Sequence, residues 1–204
     1  MSVPRTIVFI DGENLVFRYQ SMLAAGRTAA KGVVHVPNVL VWHPSIVKEF
    51  GYLNVARIYL YTSMVGDDAA LRSMRDRVAG ITFEYLYGAD QQGSAQIVPV
   101  VFKKPAQSTK SRQVDISIVI DMMRFAHNPS IDSLYLLSGD GDFLLLVQEV
   151  MRYGKEVIVG AVSSGLAPEL RHCVDEFVDL DRILFQPENG KPAVARKATA
   201  KRAK

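Results

Sequence analysis

The sequence predicts an α/β protein, a three-layer αβα sandwich around a mainly parallel central sheet. Apolar runs of strand length alternate along the chain with segments in which apolar residues recur every three or four positions, as in helices. Two of the predicted strands, residues 6–10 and 134–137, lead directly into turns rich in glycine and acid. Because the carboxyl ends of parallel strands form the ligand-binding edge of an open sheet, these two turns mark a candidate site.

The composition is that of one globular domain with a charged tail. The chain has 204 residues, of which 49% are hydrophobic and 22% charged. We expect the domain to span residues 1–185 and a basic, disordered tail to span residues 186–204. Residues 191–204 hold six Lys or Arg and no acid, and without them 18 basic residues stand against 21 acidic ones. The tail therefore suits polyanions, although a solvated tail without a partner fits its composition equally well.

Cysteine content and hydropathy indicate the compartment. Cys173 is the single cysteine, which excludes an internal disulfide framework and favours a reducing environment. The apolar start at residues 6–10 is too short for a signal peptide, and no apolar run has the length of a membrane span. We therefore predict a cytoplasmic protein with no membrane partner, and the sequence leaves a homodimer open.

Local patterns predict the remaining elements in order. After the first strand come a helix that ends at Gly26, a loop at 27–43, a short helix from Pro44, a strand at 54–61, a helix begun by Asp67 or Asp68, and a third strand at 81–86. Residues 96–102 are predicted as an edge strand or arm. The second half holds a helix that bears Asp115, the strand at 134–137, a helix that ends at Gly154, a strand at 156–162, a helix through Phe177 and a short last strand.

The acidic turns suggest a metal site. Asp11 follows the first strand, and Asp140 and Asp142 follow a later one with a single glycine between them. Two carboxylates this close repel each other, and Mg²⁺ or Mn²⁺, which prefer oxygen ligands, would relieve the repulsion. The alternative is that both aspartates are turn and helix-cap residues, a common use of aspartate in glycine-rich connections.

A predicted helix supplies further acids. On a helical wheel, Asp115 lies at the helix head on the core-facing side with Ile118 and Met122, where burying an unpaired carboxylate would be costly. A metal ion or helix-end amides would compensate it. Asp121 lies on a polar stripe, where it can form a solvated i,i+3 pair with Arg124.

Together these motifs resemble the NYN domain, the LabA-like branch of the PIN-like nucleases, over about residues 5–182. The resemblance rests on Asp11-Gly12-Glu13-Asn14, on residues 110–121, and on Ser138-Gly139-Asp140-Gly141-Asp142-Phe143. It implies a PIN-like sandwich and an acidic pocket that binds Mg²⁺ or Mn²⁺ for RNA cleavage. It also implies the following roles: Asp11, Asp115, Asp140 and Asp142 as catalytic residues and metal ligands, Asp121 as a further ligand, and Asn14 and Ser138 as substrate contacts.

The chemistry is consistent with this resemblance. Carboxylate-held metal ions can hydrolyse a phosphodiester without a protein nucleophile. The predicted contacts to the RNA backbone are the cations that precede and begin the helix with Asp115, namely Lys103, Lys104, Lys110 and Arg112. Tyr85 and Tyr87 are candidates for stacking on a base. We therefore predict a metal-dependent ribonuclease with RNA as its partner.

Two other functions remain open at this point. A haloacid-dehalogenase-like phosphatase would use Asp11 as its nucleophile, but that family has an aspartate two positions later, where this chain has Glu13. A non-catalytic RNA-binding or regulatory adaptor could retain the same metal site. An assay of products and metal dependence separates the three functions.

Overall fold

A computed structural model describes residues 3–48, 53–87, 91–106 and 111–187. Its strands are β1 (Arg5–Asp11), β2 (Val34–Val36), β3 (Leu40–Trp42), β4 (Asn54–Met64), β5 (Thr82–Tyr87), β6 (Gln91–Lys103), β7 (Ser133–Leu137), β8 (Glu156–Ala161) and β9 (Glu176–Asp179). Its helices are α1 (Gly12–Ala24), α2 (Ser45–Lys48), α3 (Asp68–Ala79), α4 (Arg112–Ala126), α5 (Leu144–Arg152), α6 (Pro168–Cys173) and α7 (Asp181–Leu184).

Within these residues a seven-stranded sheet has the order β5-β6-β4-β1-β7-β8-β9, and all its pairs except β5 with β6 are parallel. One apolar core packs α1, α2 and α7 on one face, and a second packs α4, α5 and α6 on the other. This arrangement confirms the predicted αβα sandwich. None of the helices in the described ranges is long and apolar enough to cross a membrane.

The central strand β1 determines where the candidate site lies. Val8, Phe9 and Ile10 are fully buried because helices cover both faces of the sheet, which explains the uninterrupted apolar run. Ile10 is level with Leu60 of β4 and with Leu137 of β7. The turns that follow β1 and β7 therefore start at the same edge of the sheet, as predicted.

The prediction of an edge strand at 96–102 was wrong, because β6 is longer and lies between two strands. Its first half, through Gln96, pairs antiparallel with β5, and its second half, from Ile97, pairs parallel with β4. The connection from Tyr87 to Gln91 is too short for a crossover, so β5 must run antiparallel to β6. The strand at the edge is β5.

Two local predictions also need correction. Within the predicted loop at 27–43, β2 and β3 form an antiparallel ribbon that buries Trp42 completely, and Asn38 in its turn has φ 60°. Three-residue strands are too short to show an alternating pattern. The predicted last helix ends at Cys173, because Val174 is extended and leads into β9.

Candidate functional site

Asp11 lies at the end of β1 and is only 2% exposed. It caps α1, since its Oδ1 accepts a hydrogen bond from the backbone N–H of Asn14 at 3.1 Å. The hydroxyl of Ser138, the residue after β7, donates to Oδ2 of Asp11 at 2.9 Å. Asp11 therefore holds together the ends of two neighbouring strands.

The same hydroxyl connects Asp11 to Asp140. Ser138 Oγ accepts a hydrogen bond from the backbone N–H of Asp140 at 3.2 Å. The side chain of Asp140 caps the single 3₁₀ turn Gly141–Phe143 by accepting from the backbone N–H of Asp142 at 3.1 Å. The alternative prediction of a cap is thus confirmed for Asp140, while Asp142 is exposed. Ser138 is fully buried, and its hydroxyl bonds to the Asp11 carboxylate and the Asp140 backbone; its predicted contact with a substrate stays a prediction.

Asn14 links α1 to the acidic turn. Its Oδ1 accepts a hydrogen bond from the backbone N–H of Gly139 at 3.2 Å. A side chain at residue 139 would crowd the loop before α6, because a Cβ there would lie 3.2 Å from Leu166 Cα and 3.3 Å from the carbonyl oxygen of Gly165. This close packing explains the glycine and brings the loop before α6 to the site.

Glu13 is a residue of this edge that sequence reasoning gave no role of its own. Its carboxylate accepts a hydrogen bond from the hydroxyl of Ser63 at the end of β4. It also lies 3.3 Å from Lys104 Nζ and accepts from the backbone N–H of Ser111 at 3.2 Å. Since Ser111 immediately precedes α4, Glu13 positions the start of the helix that carries Asp115. The one sequence feature that could have indicated this role is an acid two positions after Asp11, in the first turn of α1.

Lys104 was predicted to hold the RNA backbone, but its environment is different. It is 7% exposed and pairs with Glu13, so its ammonium group is the counter-ion of that carboxylate. Lys103 and Arg112 are exposed, and Lys103 Nζ lies 3.7 Å from Asp68. Lys110 lies outside the described residues. The contacts of Lys103, Lys110 and Arg112 with RNA stay predictions.

Asp115 and Asp121 are both half-buried, so they differ less than the helical wheel predicts. Asp115 is half-buried in the first turn of α4, beside the buried residues Val114 and Ile118. Asp121 Oδ1 pairs with Arg124 at 2.6 Å. Asp121 is nevertheless less solvated than predicted, because it is 23% exposed and its Oδ2 accepts from the hydroxyl of Tyr61 at 2.8 Å.

Tyr61 of β4 and Tyr85 of β5 have buried side chains. Burial, and then the bond to Asp121, hold the pKa of Tyr61 well above its usual range, so its hydroxyl stays protonated. Tyr85 is also buried and donates to the carbonyl oxygen of Val55 at 2.9 Å. The prediction that Tyr85 stacks on a base was therefore wrong, because its ring is buried in the core and its hydroxyl binds the backbone of Val55.

The arrangement of the acidic side chains limits how a metal ion could be bound. In the parts of the chain that the structure describes, no three His, Cys, Asp or Glu side chains are grouped so that they could hold a metal ion. Mg²⁺ commonly binds to one or two carboxylates and completes its shell with water and substrate phosphate. At this edge the Ser138 hydroxyl bonds to the carboxylate of Asp11 and to the backbone of Asp140, so two acids are available for a site of that open kind. They do not fit a closed cage of protein ligands.

The sequence family follows from a comparison with family models. The model of the NYN domain matches residues 5–181, which is most of the chain. The chain belongs to the NYN domain family. This family is PIN-like, so nuclease activity, RNA and divalent metal ions are the family's general associations.

Individual relatives of this NYN chain are distant. The low amplitude and bright protein LabA of Synechococcus elongatus is 34% identical over 70 residues, which is 34% of this chain and 37% of LabA. An uncharacterized protein of Methanocaldococcus jannaschii is 25% identical over 92 residues, 45% of this chain and 38% of that protein. The matches thus cover less than two-fifths of the length of either curated relative.

A solved structure supports the fold. A protein of unknown function from Vibrio parahaemolyticus superposes with a TM-score of 0.55 at 20% identity, over 90% of this chain and 96% of that one. At this identity the likeness concerns the fold alone.

Proposed function

We propose that this NYN domain is a metal-dependent endoribonuclease that hydrolyses RNA phosphodiester bonds at the acidic edge of its sheet. The observation that carries the proposal is the Ser138 hydroxyl, which donates to Asp11 and accepts from the backbone of Asp140. It ties together the ends of two neighbouring strands, each followed by an acid, at the edge where α/β folds bind ligands. Membership of the NYN family supports RNA as the substrate.

The proposed roles follow from position. Asp11 and Asp140 would hold Mg²⁺ or Mn²⁺, with the exposed Asp142 and the half-buried Asp115 as further ligands or as contacts to ordered water. A divalent cation held there would supply a hydroxide nucleophile at neutral pH and neutralise charge on the phosphoryl oxygens. Asn14 fixes the acidic turn through Gly139, and Asp121, which binds Tyr61 and Arg124, would act through the position of α4. Arg112 and Lys103 remain the proposed contacts to the RNA backbone.

The decisive experiment compares Asp140→Asn with Asp132→Asn. Asparagine retains an oxygen that can accept from the N–H of residue 142, so Asp140→Asn removes the charge and preserves the cap. Asp132 lies just before β7, at the end of that strand opposite the acidic turn, and accepts a hydrogen bond from the backbone N–H of Arg5 at 2.7 Å. We expect Asp140→Asn to abolish Mg²⁺- or Mn²⁺-dependent cleavage of a labelled single-stranded RNA, and Asp132→Asn to cleave normally. Full cleavage by a folded Asp140→Asn protein would remove this edge from the mechanism.

The second candidate is a non-catalytic RNA-binding or regulatory adaptor. It is favoured by the lack, among the described residues, of three acidic side chains grouped around one metal position. The same assay separates the two functions, because an adaptor would bind the RNA and leave it intact at every metal concentration. Release of phosphate from small phosphate esters would instead favour a phosphatase.

A further inference from the structure

We propose that Phe17 and Arg18 of α1 form a nucleotide-binding subsite beside the acidic edge. The Arg18 guanidinium would bind an RNA phosphate, and the Phe17 ring would stack on the neighbouring base. The proposal rests on the proposed function in one respect, namely that RNA reaches this edge. It adds a cation and an aromatic residue that the predicted substrate contacts did not include.

The position of the pair follows from α1. Asn14, Phe17 and Arg18 have i, i+3 and i+4 spacing, so they share one face of the helix. Asn14 on this face is bound to Gly139 of the acidic turn at 3.2 Å. Phe17 and Arg18 therefore lie one turn of α1 beyond Asn14, on the helix face that borders the acidic loop at Gly139.

Arg18 is held in place by packing against backbone. A Cβ at residue 165 would lie 2.2 Å from Cζ of Arg18, which means that the guanidinium lies flat on the Cα of Gly165. Gly165 has φ +81°, and its loop is tied to the acidic turn by the bond from Ala167 N–H to the carbonyl oxygen of Gly139 at 3.0 Å. Glycine is favoured at residue 165 by this backbone angle, and a side chain there would displace the guanidinium. Arg18 is thus connected to the acidic turn through its packing on Gly165 and the bond of that loop to Gly139.

The charge of Arg18 is available for a phosphate. Among residues whose positions are described, no carboxylate forms an ion pair with it, and its buried Nε has no hydrogen-bond acceptor. By contrast, the charge of Lys104 is neutralised by its ion pair with Glu13. A planar guanidinium held by stacking keeps its outer N–H groups for the fork-shaped recognition of phosphate oxygens.

Phe17 supplies the aromatic part of the subsite. Its side chain is 62% exposed, although the neighbouring apolar residues Leu15 and Val16 are buried. The Arg18 guanidinium carbon lies 5.5 Å from the centre of the Phe17 ring, so the cation and the ring adjoin. A cation for the backbone next to an aromatic face for a base is how proteins bind single-stranded RNA without reading its sequence.

The test measures binding separately from chemistry. Fluorescence anisotropy in EDTA gives the affinity for a uridine decamer and for the same backbone without bases. Arg18→Ala should weaken binding of both oligomers and reduce the slope of log affinity against log salt by about 0.7. Phe17→Ala should weaken binding of the uridine decamer by about 5- to 150-fold and leave binding of the baseless oligomer unchanged.

The matched controls are Arg152→Ala and Leu86→Ala. Arg152 is a 73% exposed cation at the end of α5, and Leu86 is 66% exposed on the edge strand β5. Arg18→Gln and Phe17→Leu replace any alanine variant that fails to fold. Variants that bind like these controls, or an unaltered protein that binds neither oligomer at low salt, would overturn the subsite. If the binding pattern holds but Mn²⁺ produces no cleavage, the subsite stands and the nuclease proposal fails.

Discussion

Glu13 and Lys104 form an ion pair with 3.3 Å between Oε1 and Nζ, and their side chains are only 13% and 7% exposed. The pair joins the first turn of α1 to the segment that follows β6. Because the other oxygen of Glu13 accepts from the backbone of Ser111, the same carboxylate fixes the start of α4. Two helices that border the acidic edge are therefore positioned by one side chain.

Glu13→Gln should destabilise the protein substantially. The substitution leaves the buried Lys104 ammonium without its counter-ion, and breaking such a pair typically costs about 3–5 kcal/mol. Urea unfolding measures the loss. The double variant Glu13→Gln with Lys104→Met should recover part of it, since no unpaired charge then remains. Equal stability of Glu13→Gln and the unaltered protein would show that the Lys104 ammonium does not depend on this counter-ion.

Asp115→Asn and Asp121→Asn should have different effects on metal binding. Asp115 lies at the head of α4, close to the carboxyl edge of the sheet, whereas Asp121 is bound to Tyr61 and Arg124. We expect Asp115→Asn to weaken both Mn²⁺ affinity and cleavage by about 10- to 100-fold. Asp121→Asn should leave Mn²⁺ affinity nearly unchanged and cost up to about 3 kcal/mol of stability, because it weakens the charged hydrogen bond from the buried Tyr61. Calorimetric titration with Mn²⁺ distinguishes them, and loss of metal in Asp121→Asn alone would reverse the assignment.

Residues 191–204 should add affinity for RNA without affecting chemistry. They hold six cations and no acid. Each phosphate contact contributes about 0.7 to the salt slope for a single strand, so deleting the segment should reduce the slope by at most about 4. Binding measured between low and moderate salt gives this value. An unchanged slope would show that these cations do not contact RNA.

Glu156→Gln should stabilise the protein at neutral pH and have little effect in acid. Burial raises the pKa of Glu156, and the nearby Asp175 and Glu176 carboxylates raise it further. Its charged form is therefore less favourable in the folded chain than in the unfolded chain, where its pKa is about 4.3. Below that pH both states are protonated and the penalty vanishes, whereas above the raised pKa it is fully present.

Urea unfolding at pH 4 and pH 7 checks the Glu156 prediction. The exposed Glu84, which accepts from Gln92 at 3.2 Å, provides the control Glu84→Gln. A gain in the free energy of unfolding for Glu156→Gln that is equal at both pH values would contradict the prediction. Such a result would mean that removing the charge is not the source of the gain.

The sequence by itself determined the αβα sandwich and the strand ends that carry Asp11 and Asp140. These features follow from local causes, because buried strands give apolar runs and surface helices give a 3.6-residue period. It also indicated the buried face of α4, where Ile118 and Met122 lie, but it placed Asp121 on a solvated stripe although that residue binds the buried Tyr61.

Only the tertiary structure decided which polar groups meet. Lys104 lies 91 positions from Glu13 and Ser138 lies 127 positions from Asp11, and no local pattern encodes either pair. For the same reason Lys104 was predicted to bind RNA, while the guanidinium of Arg18 on Gly165 was not predicted at all. A side chain's type is fixed by the sequence, but its availability depends on which distant segments the sheet brings beside it.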